Sequence, residues 1–97
     1  TTCKDEAEAR TLARALVEKK LAACVNILPN MGSIYMWEGE VAEATEAKLL
    51  IKTKSDKMND VFLTIKELHS YEVPEIQVLE VSTGNLAYFN WMDEVLN

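Results

Sequence analysis

A chain of 97 residues with 48% hydrophobic and 27% charged side chains has the composition of one globular domain, residues 1–97, with an adequate core and little room for linkers. Its net charge of −6 argues against a nucleic-acid groove, which needs clustered Lys and Arg; Lys19-Lys20 is the only adjacent basic pair. No apolar run is long enough to span a bilayer, no leader-like start is present, and Cys3 and Cys24 make no disulfide framework, so a cytoplasmic protein with free thiols and no membrane contact is expected.

Asp5 to Leu21 reads as a helix. Ala9, Leu12, Ala13, Leu16 and Val17 form one apolar stripe at helical spacing. Asp5 is its expected N-cap. Glu6 and Glu8 in the first turn and Lys19 and Lys20 in the last suit the helix dipole. Residues 22–37 then read as a strand with Cys24 in the core, interrupted at Pro29-Asn30-Met31-Gly32 by a bulge or bend. Glu38-Gly39-Glu40 is a turn, and residues 41–54 return as the second strand of a long hairpin. On that strand Lys48, Leu50 and Lys52 share one face, and Leu49, Ile51 and Thr53 the other.

Ser55-Asp56 is expected to cap a second helix over Lys57 to His69, with Met58, Val61, Phe62, Ile65 and Leu68 as its stripe. Ser70 to Pro74 is a loop, Ile76 to Val81 a strand, and Leu86 to Leu96 a final helix. Tyr88, Phe89 and Trp91 on that helix suit packing against a sheet better than a cofactor platform. The first helix needs a preceding strand to complete a right-handed crossover. Only Thr1 to Cys3 can supply it, so most of a first strand is expected to be missing from the sequence. With that strand the order becomes β-α-β-β-α-β. This predicts an α+β, ferredoxin-like split β-α-β sandwich with an antiparallel sheet and an added C-terminal helix.

The hairpin is long for such a domain. A chain of this length has a diameter of roughly 32 Å, whereas a fourteen-residue strand spans about 46 Å. The overhanging tip is SIYMWEGE, residues 33–40, where Ile34 and Met36 point one way and Tyr35 and Trp37 the other. Two apolar faces on a projecting hairpin call for a partner that covers them, and a closed homo-oligomer such as a trimer would do so. The competing reading bends the hairpin at Pro29 and folds it back on its own sheet.

Chemistry-bearing residues are few. His69 lies among Glu67, Glu72 and Glu75, a loose set of possible metal ligands that also reads as a surface histidine at a helix end. Cys3 would sit where the first strand meets the first helix. With His69 it could form a soft site for copper or zinc, completed by a carboxylate, water or a neighbouring subunit; the alternative is an inert buried thiol. Trp37, Glu38, Lys52, Tyr71 and Glu75 could line a cleft for a small polar ligand, or form a hairpin rim stapled by ion pairs and aromatic packing. No Gly-rich phosphate loop and no recognisable nucleophile–base pairing is present, so no enzymatic activity is expected.

Several stretches carry a family resemblance. They are DEAEARTLARALVEKKLAACVNILP at 5–29, SIYMWEGEV at 33–41, LIKTK at 50–54, HSYEVPE at 69–75 and YFNWM at 88–92. Together they resemble the CutA family of divalent-cation tolerance proteins over essentially the whole chain. The resemblance implies a ferredoxin-like subunit in a tight homotrimer, an architecture shared with PII signalling proteins. It also implies tolerance to divalent metals, with copper as the implied ligand and other divalent cations as alternatives. Eukaryotic members are instead linked to acetylcholinesterase anchoring. His69 matches a histidine implicated in copper binding in bacterial members, whereas Leu68 stands where a second histidine can occur. The cysteine that those members carry in the first strand falls at Thr1, two positions before Cys3. Tyr35, Trp37, Glu38, Gly39, Lys52, Tyr71, Pro74 and Glu75 match shared family positions, read as trimer architecture and cleft lining. A PII-like ligand-sensing trimer with a protein partner, and a purely structural scaffold trimer, remain competing readings.

Overall fold

The computed structural model describes residues 1–97. Strand β1 (Thr2–Cys3) is followed by helix α1 (Glu6–Glu18), strands β2 (Cys24–Trp37) and β3 (Glu40–Lys52), helix α2 (Met58–Leu68) and helix α3 (Leu86–Leu96). The strands form one antiparallel sheet in the order β1-β3-β2. This α+β arrangement is the expected one and is consistent with a ferredoxin-like sandwich.

Asp5 caps α1 as its sequence suggests: its Oδ1 accepts the Glu8 backbone N–H at 2.9 Å. The helix buries Ala9, Leu12, Ala13 and Leu16 against Ala47 and Leu49 of β3 and Val61 and Ile65 of α2. Such burial contributes roughly 1.5–3 kcal/mol for each large aliphatic side chain. Val17, expected in the stripe, is instead largely exposed. The helix also ends earlier than Leu21. Lys20 adopts a left-handed φ of 58°, and the Leu21 and Ala22 N–H groups both turn back to the Leu16 carbonyl. That closure leaves Lys19 and Lys20 outside the helix and drives Ala22 into the core.

The long hairpin forms with its bulge where Pro29 predicts one. Leu28 pairs with Lys48 and Met31 with Glu46, so β2 carries one extra residue, and Asn30 takes a φ of 55°. At the tip Glu38 and Gly39 have φ of 51° and 80°, which makes the two-residue I′ turn that matches strand twist. The hairpin does not fold back on its own body. The molecule measures 46 × 26 × 21 Å, and its radius of gyration is 14.5 Å against about 12.5 Å for a compact chain of this length. Both faces of the tip are open: Ile34 is 71% exposed, Trp37 64% and Val41 71%, with Met36 and Tyr35 also exposed. Cys24, expected in the core, is only partly buried.

Ser55–Lys57 forms a 3₁₀ turn ahead of α2, so Ser55 and Asp56 make no side-chain cap. Along α2, Val61 and Ile65 are buried as expected, while Leu68 is exposed. The predicted strand Ile76–Val81 makes no ladder. In a split β-α-β sheet it would lie beside β1, which offers only two residues for pairing. Ile76 packs against the core, but Leu79 is 84% exposed. Helix α3 has the bounds its sequence suggests, capped by Asn85 Oδ1 on the Ala87 N–H at 3.0 Å. Gly84 precedes it because a Cβ there would meet the Phe89 ring at 2.6 Å. No helix is long and apolar enough to cross a membrane.

Candidate metal centre

Cys3 and His69 are 66 positions apart in sequence, and the fold brings them together. β1 pairs with β3 through Cys3 and Ala47, which turns the Cys3 side chain into the core, where it is fully buried. The end of α2 then places His69, its C-cap, against β1. The His69 side chain is wholly buried, not a surface group. Its Nε2 lies 2.6 Å from the Thr2 carbonyl oxygen, and its Nδ1 accepts the Tyr71 backbone N–H at 3.0 Å. A carbonyl can only accept and an amide N–H only donate, so these contacts select the neutral tautomer with hydrogen on Nε2.

The third member of the cluster is Glu8, which sequence reasoning treated as a helix-start charge. Its side chain is only 12% exposed, and its Oε1 is 3.7 Å from His69 Nδ1. That oxygen is buried and has no hydrogen-bond partner. One donor atom from each of Cys3, Glu8 and His69 lies within 4.8 Å of the others. Burial pushes the Cys3 thiol up to about 12, and the neighbouring Glu8 carboxylate adds to the rise, so the free site holds a neutral thiol. A sulfur, a carboxylate oxygen and an imidazole nitrogen around one orphaned acceptor are a donor set that fits a metal ion.

The five residues read as a possible cleft do not converge within one chain. Trp37 and Glu38 are at the hairpin tip, where Trp37 pairs with Glu40. Lys52 is at the other end, opposite Cys24, about 40 Å away along the strand. The Lys52 ammonium lies 5.7 Å from the centre of the Tyr88 ring. Tyr71 and Glu75 clamp the loop after α2 onto β3: the Tyr71 hydroxyl donates to Glu46 at 2.8 Å, and Lys48 donates to Glu75 at 2.8 Å. Burial and the bond to Glu46 push the Tyr71 hydroxyl up to about 12. Neither Glu46 nor Lys48 was singled out as a site residue from the sequence. Their alternation with buried Ala47 and Leu49 is the signal that puts them together on the outer face.

Comparison with known proteins agrees with this fold and with the motifs. Residues 1–95 match the family described as CutA1 divalent ion tolerance protein. The chain is similar to the divalent-cation tolerance protein CutA of Thermus thermophilus, with 48% identity over 93 residues, covering 96% of this chain and 90% of that one. It is similar to a CutA homolog of Xenopus laevis at 42% identity, covering 98% of this chain but only 63% of that longer protein. Among solved structures, the periplasmic divalent cation tolerance protein CutA of Archaeoglobus fulgidus superimposes with a TM-score of 0.95 at 40% identity, covering 99% of this chain and 93% of the other. The chain belongs to the CutA1 divalent ion tolerance protein family.

Proposed function

We propose that this chain is a subunit of a homotrimer that contributes to divalent-metal tolerance by binding copper or another divalent cation weakly, without enzymatic activity. The observation that carries the reading is the convergence of Cys3, Glu8 and His69 around an unpartnered carboxylate oxygen. When bound there, a metal would be held by these three side chains, with His69 oriented by its Nε2–H bond to Thr2. The trimer reading is supported by the hairpin tip, whose two open apolar faces a soluble protein covers with neighbouring copies. Ligand sensing in a cleft draws no support from a single chain, because Trp37 and Glu38 are far from Lys52. The compartment is proposed to be the cytoplasm, although the Archaeoglobus relative is described as periplasmic.

Calorimetric copper titration of the parent and of His69→Ala tests the reading. The parent is expected to bind about one ion per chain, and the variant to lose that binding. Equal affinity in the two proteins would remove His69 as a ligand and the reading with it.

A further inference from the structure

Val17 breaks the burial pattern of α1. By spacing it belongs to the apolar stripe, yet it is 44% exposed. It lines a groove of about 270 Å³ between α1 and the first half of β2. Ala13 and Val17 face this groove from the helix, and Val25 and Ile27 from the strand, so its floor is apolar. Arg10 and Arg14, both exposed, flank that floor. They are the only two arginines in a chain of net charge −6. We propose that the groove docks an extended acidic–apolar peptide segment of a partner protein. Arg10 and Arg14 grip the segment's carboxylates, and Val17, Val25 and Ile27 receive its apolar side chains.

Charge complementarity sets the sign of the occupant. Arg14 makes no ion pair with any carboxylate of its own chain. Arg10 bonds Glu6 through Nε alone, at 2.9 Å, which leaves its terminal nitrogens for another acceptor. Residues four apart on a helix are neighbours, so both guanidinium groups can reach one acidic patch. Each presents a planar fork that matches a carboxylate with two parallel N–H bonds, which a lysine cannot do. Glu18 lies at the other end of the groove, about 12 Å from Arg10 along the helix axis. That carboxylate repels a second acid, so the bound segment has one direction. Its acidic residues sit at the Arg10 and Arg14 end, and a neutral side chain lies beside Glu18.

Dimensions favour an extended peptide over other anions. A helix with its side chains is about 10–12 Å across, too wide to seat in a space this small between one helix and one strand. An extended chain covers about 12 Å in roughly four residues. A small free carboxylate gains less, because ligand sites bury most of their ligand and this groove stays open along Arg10, Arg14 and Val17. The groove is also separate from the surfaces described above. Glu8 and Arg10 are about 200° apart around α1, so the metal centre lies on the opposite side of the helix. Ile27 is about 30 Å along β2 from Trp37 and the apolar hairpin tip.

Fluorescence polarisation of the full chain with a fluorescein-labelled peptide, two aspartates followed by alternating leucine and serine, tests the proposal. The parent is expected to bind it saturably, and to bind at least about fivefold more weakly when salt rises from about 0.05 M to about 0.5 M. The same peptide with lysine in place of aspartate is expected not to bind. The double variant Arg10→Gln, Arg14→Gln is expected to lose at least about tenfold in affinity. Val17→Asn, a change at an exposed position, is expected to lose about threefold. Circular dichroism confirms that both variants are folded. Parent-like affinity in the double variant, or no binding to the parent at about 1 mM peptide, would overturn the proposal. Displacement by octanoate as effective as by unlabelled peptide would make the groove a small-carboxylate site and overturn the peptide assignment. Dissociation of the assembly in the double variant, read by sedimentation velocity, would give the groove to a second copy of the chain and overturn it as well.

Discussion

The carbonyl oxygen of Thr2 lies 2.6 Å from Nε2 of His69 and joins the first strand to the end of the second helix. With Tyr71 on the other ring nitrogen, one imidazole satisfies two backbone groups from separate segments. His69→Ala would leave both without a side-chain partner and open a cavity. It is expected to cost about 2–4 kcal/mol, combining cavity and hydrogen-bond losses. Urea unfolding measures it; a change below about 0.5 kcal/mol would show that the ring is not structural.

Trp37 is the clearest separation of assembly from folding. It is largely exposed in the isolated chain, so Trp37→Ala should alter subunit stability by no more than about 0.5 kcal/mol. At an interface a buried tryptophan commonly contributes about 2 kcal/mol or more. Dissociation on dilution should therefore begin at a protein concentration at least about tenfold higher than for the parent. Sedimentation velocity reads this directly, and a variant that dissociates like the parent would mean the indole faces solvent in the assembly.

The hairpin turn depends on Gly39, whose φ of 80° is left-handed. Gly39→Val puts a branched side chain in that conformation and should destabilise the protein by about 1–2 kcal/mol. The space around the position is open, so no clash contributes. Thermal unfolding at matched concentration tests the expectation. An unchanged midpoint would show that the tip tolerates another turn.

The Lys48–Glu75 pair gives the acid response a sign. The hydrogen bond from Lys48 holds the Glu75 carboxyl below its ordinary value of 4.5. A depressed carboxyl contributes stability that is present above the unfolded value and is lost as pH falls through the lower folded value. The loss should therefore appear below about pH 4.5 and shrink in high salt, since both side chains are about a third exposed. Lys48→Met should flatten the stability–pH curve in that window. An unchanged slope would remove this pair from the acid response.

Much of the scaffold was legible in local chemistry. Asp5 announced the start of α1, Pro29-Asn30 the bulge, and Glu38-Gly39 the turn, because each needs only nearby backbone geometry. The end of α1 was not legible, since Lys20 is a left-handed residue without the usual glycine signal. Ile76–Val81 alternates like a strand, but alternation cannot say whether a ladder partner exists within the chain. Cys3 and His69 were recognisable as donor types, yet their meeting depends on β1 pairing with β3 and on where α2 ends. Glu8 was read for its favourable charge at a helix start. Its burial beside His69 follows from the direction α1 takes over the sheet, which no local pattern encodes.

Native mass spectrometry of the metal-loaded protein tests assembly and metal binding together. The expected species is three chains, each of 10.9 kDa, retaining one cation per chain. A single 10.9 kDa chain at micromolar concentration, or an assembly that retains no cation, would contradict the proposed metal-binding trimer.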